Sequence, residues 1–367
     1  MSLASLHELF VISRASTLAY RGKDVDALHI ARALGVRYVV TGTLARSDQR
    51  LRISAALCDA ETGIYLWAER IDAKLGDIFD IQDNIVERVV SRVAPNIQMA
   101  ELERSLRRRP ESFTAYDHTL QGLDLILRLD RDGFMWARPL LQKAIDAAPS
   151  FAMAHAWAAR WHSLNVGQGW SPNVAVDIAE AVCLAARAIE LDRQNSLALA
   201  TYGHLQSFLY HDYDSALIYL ERAIDACPNS PLAWGLSSIT KSYIGEGAEA
   251  VHRAEHALRL SPFDPALFYY YLILLLAHYA DGNYQEAVKW GRVAMSENPS
   301  FTATPRYLAA ALAASGALRA AKDMGHILLE HEPDFTLERY QAKRLPFRSK
   351  SMRKCHLEHL RVAGLPG

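Results

Sequence analysis

His252-Arg253-Ala254-Glu255-His256 is the segment of this chain whose residue types and spacing most directly suggest chemistry. It fits HxxEH, the inverted zinc-peptidase signature. Histidines at i and i+4 share a helix face and can ligate zinc, leaving the glutamate free to act as a base. Cys355-His356 with His359 is a second cluster, but two or three ligands fall short of a tetrahedral set. The aromatic run Phe268, Tyr269, Tyr270 and Tyr271 could stack bases, yet it has no basic neighbours. The chain contains no GxxxxGK phosphate loop and no GxSxG elbow.

Whether such residues can act depends on the elements that carry them, and the bulk numbers narrow these. A chain of 367 residues has room for two or three domains with real cores. A formal net charge of -1 gives no electrostatic case for nucleic acid or an anionic membrane. The four cysteines (Cys58, Cys183, Cys227, Cys355) form no CxxC pair, as expected of reduced thiols in a cytoplasm. The start, MSLASLHELFVIS, lacks the basic n-region and long apolar stretch of a signal peptide. The most apolar run, Ala266 to Ala280, is 15 residues long. A spanning helix needs about 20, so this run reads as a buried helix and the protein as cytoplasmic.

One spacing recurs. A small or apolar residue is followed five positions later by proline: Ala144/Pro149, Ala223/Pro228, Ala257/Pro262, Ala294/Pro299 and Leu328/Pro333. Ala188 with Arg193 is a degenerate copy, and the successive offsets are 44, 35, 34, 37 and 34 residues. Proline ends each helix because it lacks an amide hydrogen and biases the preceding residue away from the helical region. The long interval accommodates a loop, VGQGWSPN, at Val166 to Asn173. A period of 34 is that of the tetratricopeptide repeat, and the chain resembles that family from about Thr114 to Asp334. The resemblance implies stacked antiparallel helix pairs around a concave groove, with capped ends. The basic tail, residues 336–367, is expected to be the cap, with a solvated polar face.

The frame weighs the opening motif. Ala254 and Ala257 fall on the packed face of a second helix, which leaves His252, Glu255 and His256 on its outer side. No third ligand is identifiable. Catalytic, metal and cofactor residues are therefore assigned as none, and a metallohydrolase is kept as the remote alternative. The groove is expected on the first helix of each pair, with His204, Ser207, Ile239, Tyr269, Ile273 and Arg306 among its residues. These form an apolar surface with sparse polar handles, suited to an amphipathic helix of a partner protein. Filling by the array's own coil or by the amino-terminal domain is an equal alternative.

Residues 1–106 read differently. Leu9 to Ser16 is a strand candidate and Val25 to Leu34 a helix closed by Gly35. Three further strands follow in RYVVTGTLARS, LRISAALCDA and IYLWAERIDA, where Leu51, Ile53, Ala55 and Leu57 alternate. A helix begins after Gly76, and residues 107–113 form a linker at Arg107-Arg108-Arg109-Pro110. The stretch VRYVVTGTLARSDQRLRISAALCDAETGIYLWAERIDAKLGDIFDIQD resembles the TolB-amino-terminal-like module. That module precedes tetratricopeptide repeats in bacterial class III adenylate cyclases, and it also occurs in winged-helix transcription regulators. The ending RVAGLPG is similar to that of the cyclases.

The reading is a mainly α chain: a TPR-type α-solenoid (residues 114–335) preceded by a small α/β domain. The resemblance implies a non-catalytic interaction or regulatory module of a bacterial signalling system. A truncated or accessory transcription regulator acting through a partner is the alternative. Eight residues precede Leu9, too few for a cyclase domain or a winged helix, so the chain is expected to be a truncated relative or a stand-alone subunit. A sheet missing a neighbour is expected to self-associate through residues 1–100. Neither nucleic acid nor membrane is expected as a partner.

Overall fold

The computed structural model describes residues 11–12, 14–20, 22–23, 25–47, 50–74, 78–107, 113–262 and 264–367. Contacts divide the chain into two units, Met1–Arg107 and Arg108–Gly367.

In the first unit, helices α1 (Arg14–Leu18) and α2 (Ala27–Leu34) precede strands β1 (Tyr38–Ser47), β2 (Arg50–Asp59) and β3 (Ile64–Lys74), then helix α3 (Ile78–Arg107). The strands form an antiparallel sheet in the order β1-β2-β3. Asp26 caps α2 by accepting from the Leu28 amide, and Gly35 closes it in the left-handed region at φ 65°, where a missing Cβ avoids a clash. Alternation along the strands sends side chains to two faces. Val39 and Cys58 pack with Ala27 and Ala31 on the α2 side. Leu57 packs with Val93 and Ile97 on the α3 side. At the sheet end Arg104 pairs with buried Asp59 at 2.7 Å, and Tyr38 donates to Glu101.

The first expected strand needs correction. Leu9 and Phe10 lie outside the described residues, Val11 and Ile12 are irregular, and Ser16 belongs to α1. Two apolar residues followed by SRAST offer no alternation, and a strand unpaired in a sheet leaves its backbone groups unsatisfied. The expectation of self-association rested on that strand.

The second unit is a TPR-like α-solenoid of six helix pairs. They are α4 (Ala115–Arg128) with α5 (Arg131–Ala147), α6 (Ala152–Gly167) with α7 (Val174–Leu191), and α8 (Ser196–Leu205) with α9 (Tyr213–Ala226). Then come α10 (Pro231–Ile244) with α11 (Gly247–Leu260), α12 (Leu267–Ala280) with α13 (Tyr284–Glu297), and α14 (Ala303–Ala314) with α15 (Leu318–His331). Helices α16 (Leu337–Lys343) and α17 (Lys350–Val362) follow. Ala144, Ala188, Ala223, Ala257, Ala294 and Leu328, the residues that mark the period, are all at most 1% exposed. Where α8 crosses α9 the helices approach so closely that a Cβ on Gly203 would stand 2.9 Å from Leu220 Cγ. The apolar run on α12 is a core helix, and among the described residues no helix is long and apolar enough to cross a membrane.

The tail is more than a polar cap. Leu345 and Phe347 are buried, the Arg348 amide donates to the Tyr243 carbonyl, and Tyr213 Oη donates to the Pro346 carbonyl at 2.7 Å. Residues after α15 thus return to α9 and α10. The array also meets itself end to end. Gln168, after α6, accepts from the Thr302 amide at 2.8 Å, and Arg306 on α14 donates to the Gly167 carbonyl at 3.2 Å.

Candidate functional site

Those returns border a cavity on the inner side of the array. His204, Ile239, Tyr269, Ile273 and Arg306, from α8, α10, α12 and α14, all line it. Ser207 does not: its hydroxyl lies 2.9 Å from Thr240 Oγ1 and donates to the His204 carbonyl, in the buried contact that the turn after α8 makes with α10. After Leu205 the chain widens into a π-helical turn, Gln206–Tyr210, which carries Phe208 to stack on the His204 ring at 5.4 Å. The volume open to the centres of water-sized spheres inside is about 60 Å³. A helix with side chains is about 10–12 Å across, wider than the innermost part of this space. Its walls are completed by Tyr340 and Arg344 of the protein's own tail.

The expectation of sparse polar handles is also corrected. Three guanidiniums line the cavity: Arg160 from α6, Arg306 from α14 and Arg344 after α16. Arg160 and Arg306 are each 4% exposed. Arg344 pairs with Glu332 at 2.6 Å, and both Arg344 and Arg306 donate to the Gly167 carbonyl. A helix C-terminus carries a partial negative charge that favours cations. The remaining charge is held by rings: Arg160 lies 4.9 Å from the Tyr269 centroid and Arg306 5.2 Å from that of Tyr340. Among the described residues, Arg160 Nη1, Arg306 Nε, Ser163 Oγ and His204 Nδ1 are buried without a hydrogen-bond partner.

Protonation leaves the cavity basic. Burial, and next the Arg160 charge, bring His204 down to about 3, so its ring is neutral. Burial pushes the phenols of Tyr243, Tyr307 and Tyr340 well above their usual range, so they supply hydroxyls and no charge. Burial also lowers Arg344, with the Arg306 charge acting in the same direction.

Two of the three arginines lay outside the sequence-based groove. Arg160 lies within the long interval where the 34-residue register breaks, and Arg344 follows the last repeat. Two basic residues cannot be seen as neighbours when 184 positions of sequence separate them. A buried chain between α5, α6 and α7 was missed for a similar reason. Arg138 Nε donates to His162 Nε2 at 3.0 Å, His162 Nδ1 meets Asp177, and Asn165 donates to the other Asp177 oxygen.

The residues that first suggested metal chemistry are put to other uses. His252 and Glu255 are exposed, while Ala254 and Ala257 are buried as their frame positions require. His256 is half-buried rather than solvated, with its ring edge-on to Trp234 at 4.4 Å. His356 is buried under Phe347 and Tyr340, whereas Cys355 is exposed and sits 3.7 Å from His359. Among the described residues, no three His, Cys, Asp or Glu side chains converge as a metal site would need.

No protein-family model matches the chain. A curated protein of Rhizobium meliloti (strain 1021), named Putative adenylate cyclase 3, is 35% identical over 190 residues. That match takes in 52% of this chain but 32% of the relative, so the chain spans about a third of the relative's length. Among solved structures, human IFIT1 in complex with m7Gppp-AAAA aligns with a TM-score of 0.51 at 14% identity. The alignment covers 76% of this chain and 64% of that one. A monomeric IFIT1 mutant with Gppp-AAAA gives 0.50 at 14%, over 78% and 66%. At such identity the likeness is one of fold.

Proposed function

We propose that this chain is a non-catalytic regulatory and protein-interaction module of a bacterial signalling system, working in the cytoplasm and related to the regulatory portion of class III adenylate cyclases. The observation that carries this reading is the 190-residue match to the rhizobial cyclase-named protein. The helical array supports it, since stacked repeats present extended surfaces to other proteins. The use of His256 as a packing group against Trp234 speaks for a structural role of the HxxEH segment. With Tyr340 and Arg344 of the tail lining the inner groove, a protein partner would dock on the outer faces of the helix pairs or on the sheet unit.

Two measurements test this. The purified chain, given ATP with magnesium or manganese, should make no cyclic AMP above a heat-killed control; measurable turnover overturns the non-catalytic reading. Grafted in place of the matching region of the rhizobial relative, the chain should restore the cyclase output lost on deleting that region. A graft that is folded by circular dichroism yet behaves like the deletion overturns the regulatory reading.

A further inference from the structure

The cavity of the helical array holds more positive charge than its surroundings neutralise. Arg160, Arg306 and Arg344 line it, and the buried Glu332 carboxylate pairs with Arg344 through Oε2, while its Oε1 has no hydrogen-bond partner among the described residues. Asp264, which does not line the cavity, is occupied by the Ala266 amide and the Ser261 hydroxyl. Arg160 Nη1 and Arg306 Nε have no acceptor among the described residues, and Ser163 Oγ and His204 Nδ1 stand unpartnered beside them. Buried guanidiniums without an anion or a full set of acceptors are destabilising. Locally unfavourable choices of this kind concentrate where a chain binds something.

We propose that this cavity is a binding site for a small oxyanion, the carboxylate or phosphate group of a low-molecular-weight ligand, held by Arg160 and Arg306. Guanidinium forks match the oxygens of both groups and bind them with charge-assisted hydrogen bonds. The Ser163 hydroxyl supplies a further donor. Size sets the ligand class. A water needs roughly 10–15 Å³ of such space, so about 60 Å³ holds a handful of atoms. Apolar walls at Leu164, Phe208, Ile239 and Ile273 leave the two guanidiniums as the main polar anchors, so the anionic group carries the recognition. The ligand would bind where residues from the start of the array (Arg160) meet those from its end (Arg306, Tyr340). Occupancy would therefore hold the two ends of the solenoid together. This inference does not depend on the signalling role proposed above.

The test is thermal unfolding of the full chain at constant ionic strength in inorganic phosphate, acetate or malonate, with chloride as the control. Phosphate or a carboxylate should raise Tm saturably, following RT ln(1 + [L]/Kd), and chloride should not. A response to phosphate alone assigns a phosphoryl group, and one to the carboxylates alone a carboxyl group. Arg160→Met keeps the side-chain bulk and removes the charge. It should raise the Tm of the anion-free chain and weaken the anion response at least tenfold in half-saturating concentration. The proposal is overturned if no anion acts beyond chloride, if R160M responds like the parent, or if R160M lowers Tm without anion, which would make Arg160 structural. Arg306→Gln is the less decisive variant, because its bond to Gly167 closes the array.

Discussion

In the repeat array the helix contacts are made by small residues buried almost to zero exposure, and the large side chains fill what the small ones leave open. The sheet unit has two small apolar clusters, one on each face, and a polar network of Arg104, Asp59, Glu101 and Tyr38 at one end. Its β1 edge keeps Val40 and Leu44 exposed. The same kind of substitution should therefore have very different costs in the two units. Repetition lets each helix pair be stabilised by its neighbours, whereas the small sheet leans on a few charged pairs.

The largest contrast is expected from a glutamate placed in each. Ala257→Glu puts a charge and four extra heavy atoms into a contact with no room, costing about 3–5 kcal/mol or preventing folding. Leu44→Glu, on a side chain 68% exposed, should stay within about 0.5 kcal/mol. Urea unfolding followed by circular dichroism measures both. Equal costs would mean that the packed-face assignment of the repeats is wrong.

Acid comes next. His204 and His356 are fully buried, and burial holds both at about 3 in the folded chain, against about 6.5 when unfolded. Below pH 6.5 the unfolded chain takes up protons that the native array refuses. Stability is thus complete above that pH and is lost as pH falls towards 3, at up to about 1.4 kcal/mol per pH unit for each histidine. Six of the seven tryptophans lie in the array, so fluorescence-monitored unfolding between pH 6.5 and 4.5 follows it. His204→Gln and His356→Gln should each flatten that slope by one proton, and an unchanged slope would place the ring in water.

In the sheet unit Arg104→Ala should cost about 1–3 kcal/mol, because Asp59 would keep its burial and lose its partner. Hydrogen exchange in β2 and α3 is the readout; unchanged protection would show that solvent replaces the arginine freely. Smallest of all is the histidine pair. His252→Ala should stay within about 0.5 kcal/mol, and His256→Ala should cost about 0.5–1.5 kcal/mol through the lost contact with Trp234. A zinc content that drops in either variant would return the HxxEH motif to chemistry.

Much of the architecture could be read from local pattern. Ala223 and Pro228, or Ala257 and Pro262, mark helix ends and contacts because proline and small side chains act on their own neighbourhood in the chain. Leu51, Ile53, Ala55 and Leu57 announce a strand because the period of two is local as well. Leu9 to Ser16 failed for want of such a pattern. His204, Ile239, Tyr269, Ile273 and Arg306 could be placed on one inner surface because a fixed repeat turns equal frame positions to the same side.

Sequence by itself thus determined the helix pairs, their spacing, the sheet that precedes them and the side of each helix that faces inwards. These follow from steric and hydrophobic preferences acting over a turn, a strand or one repeat. Tertiary structure alone decided that the tail lines the inner surface, that Leu345 and Phe347 fold back against α9 and α10, and that Arg160 and Arg306 share a cavity. The physical reason is accumulation. A small rotation from each pair to the next fixes where the two ends meet only after six pairs have been stacked, and no local rule carries that sum.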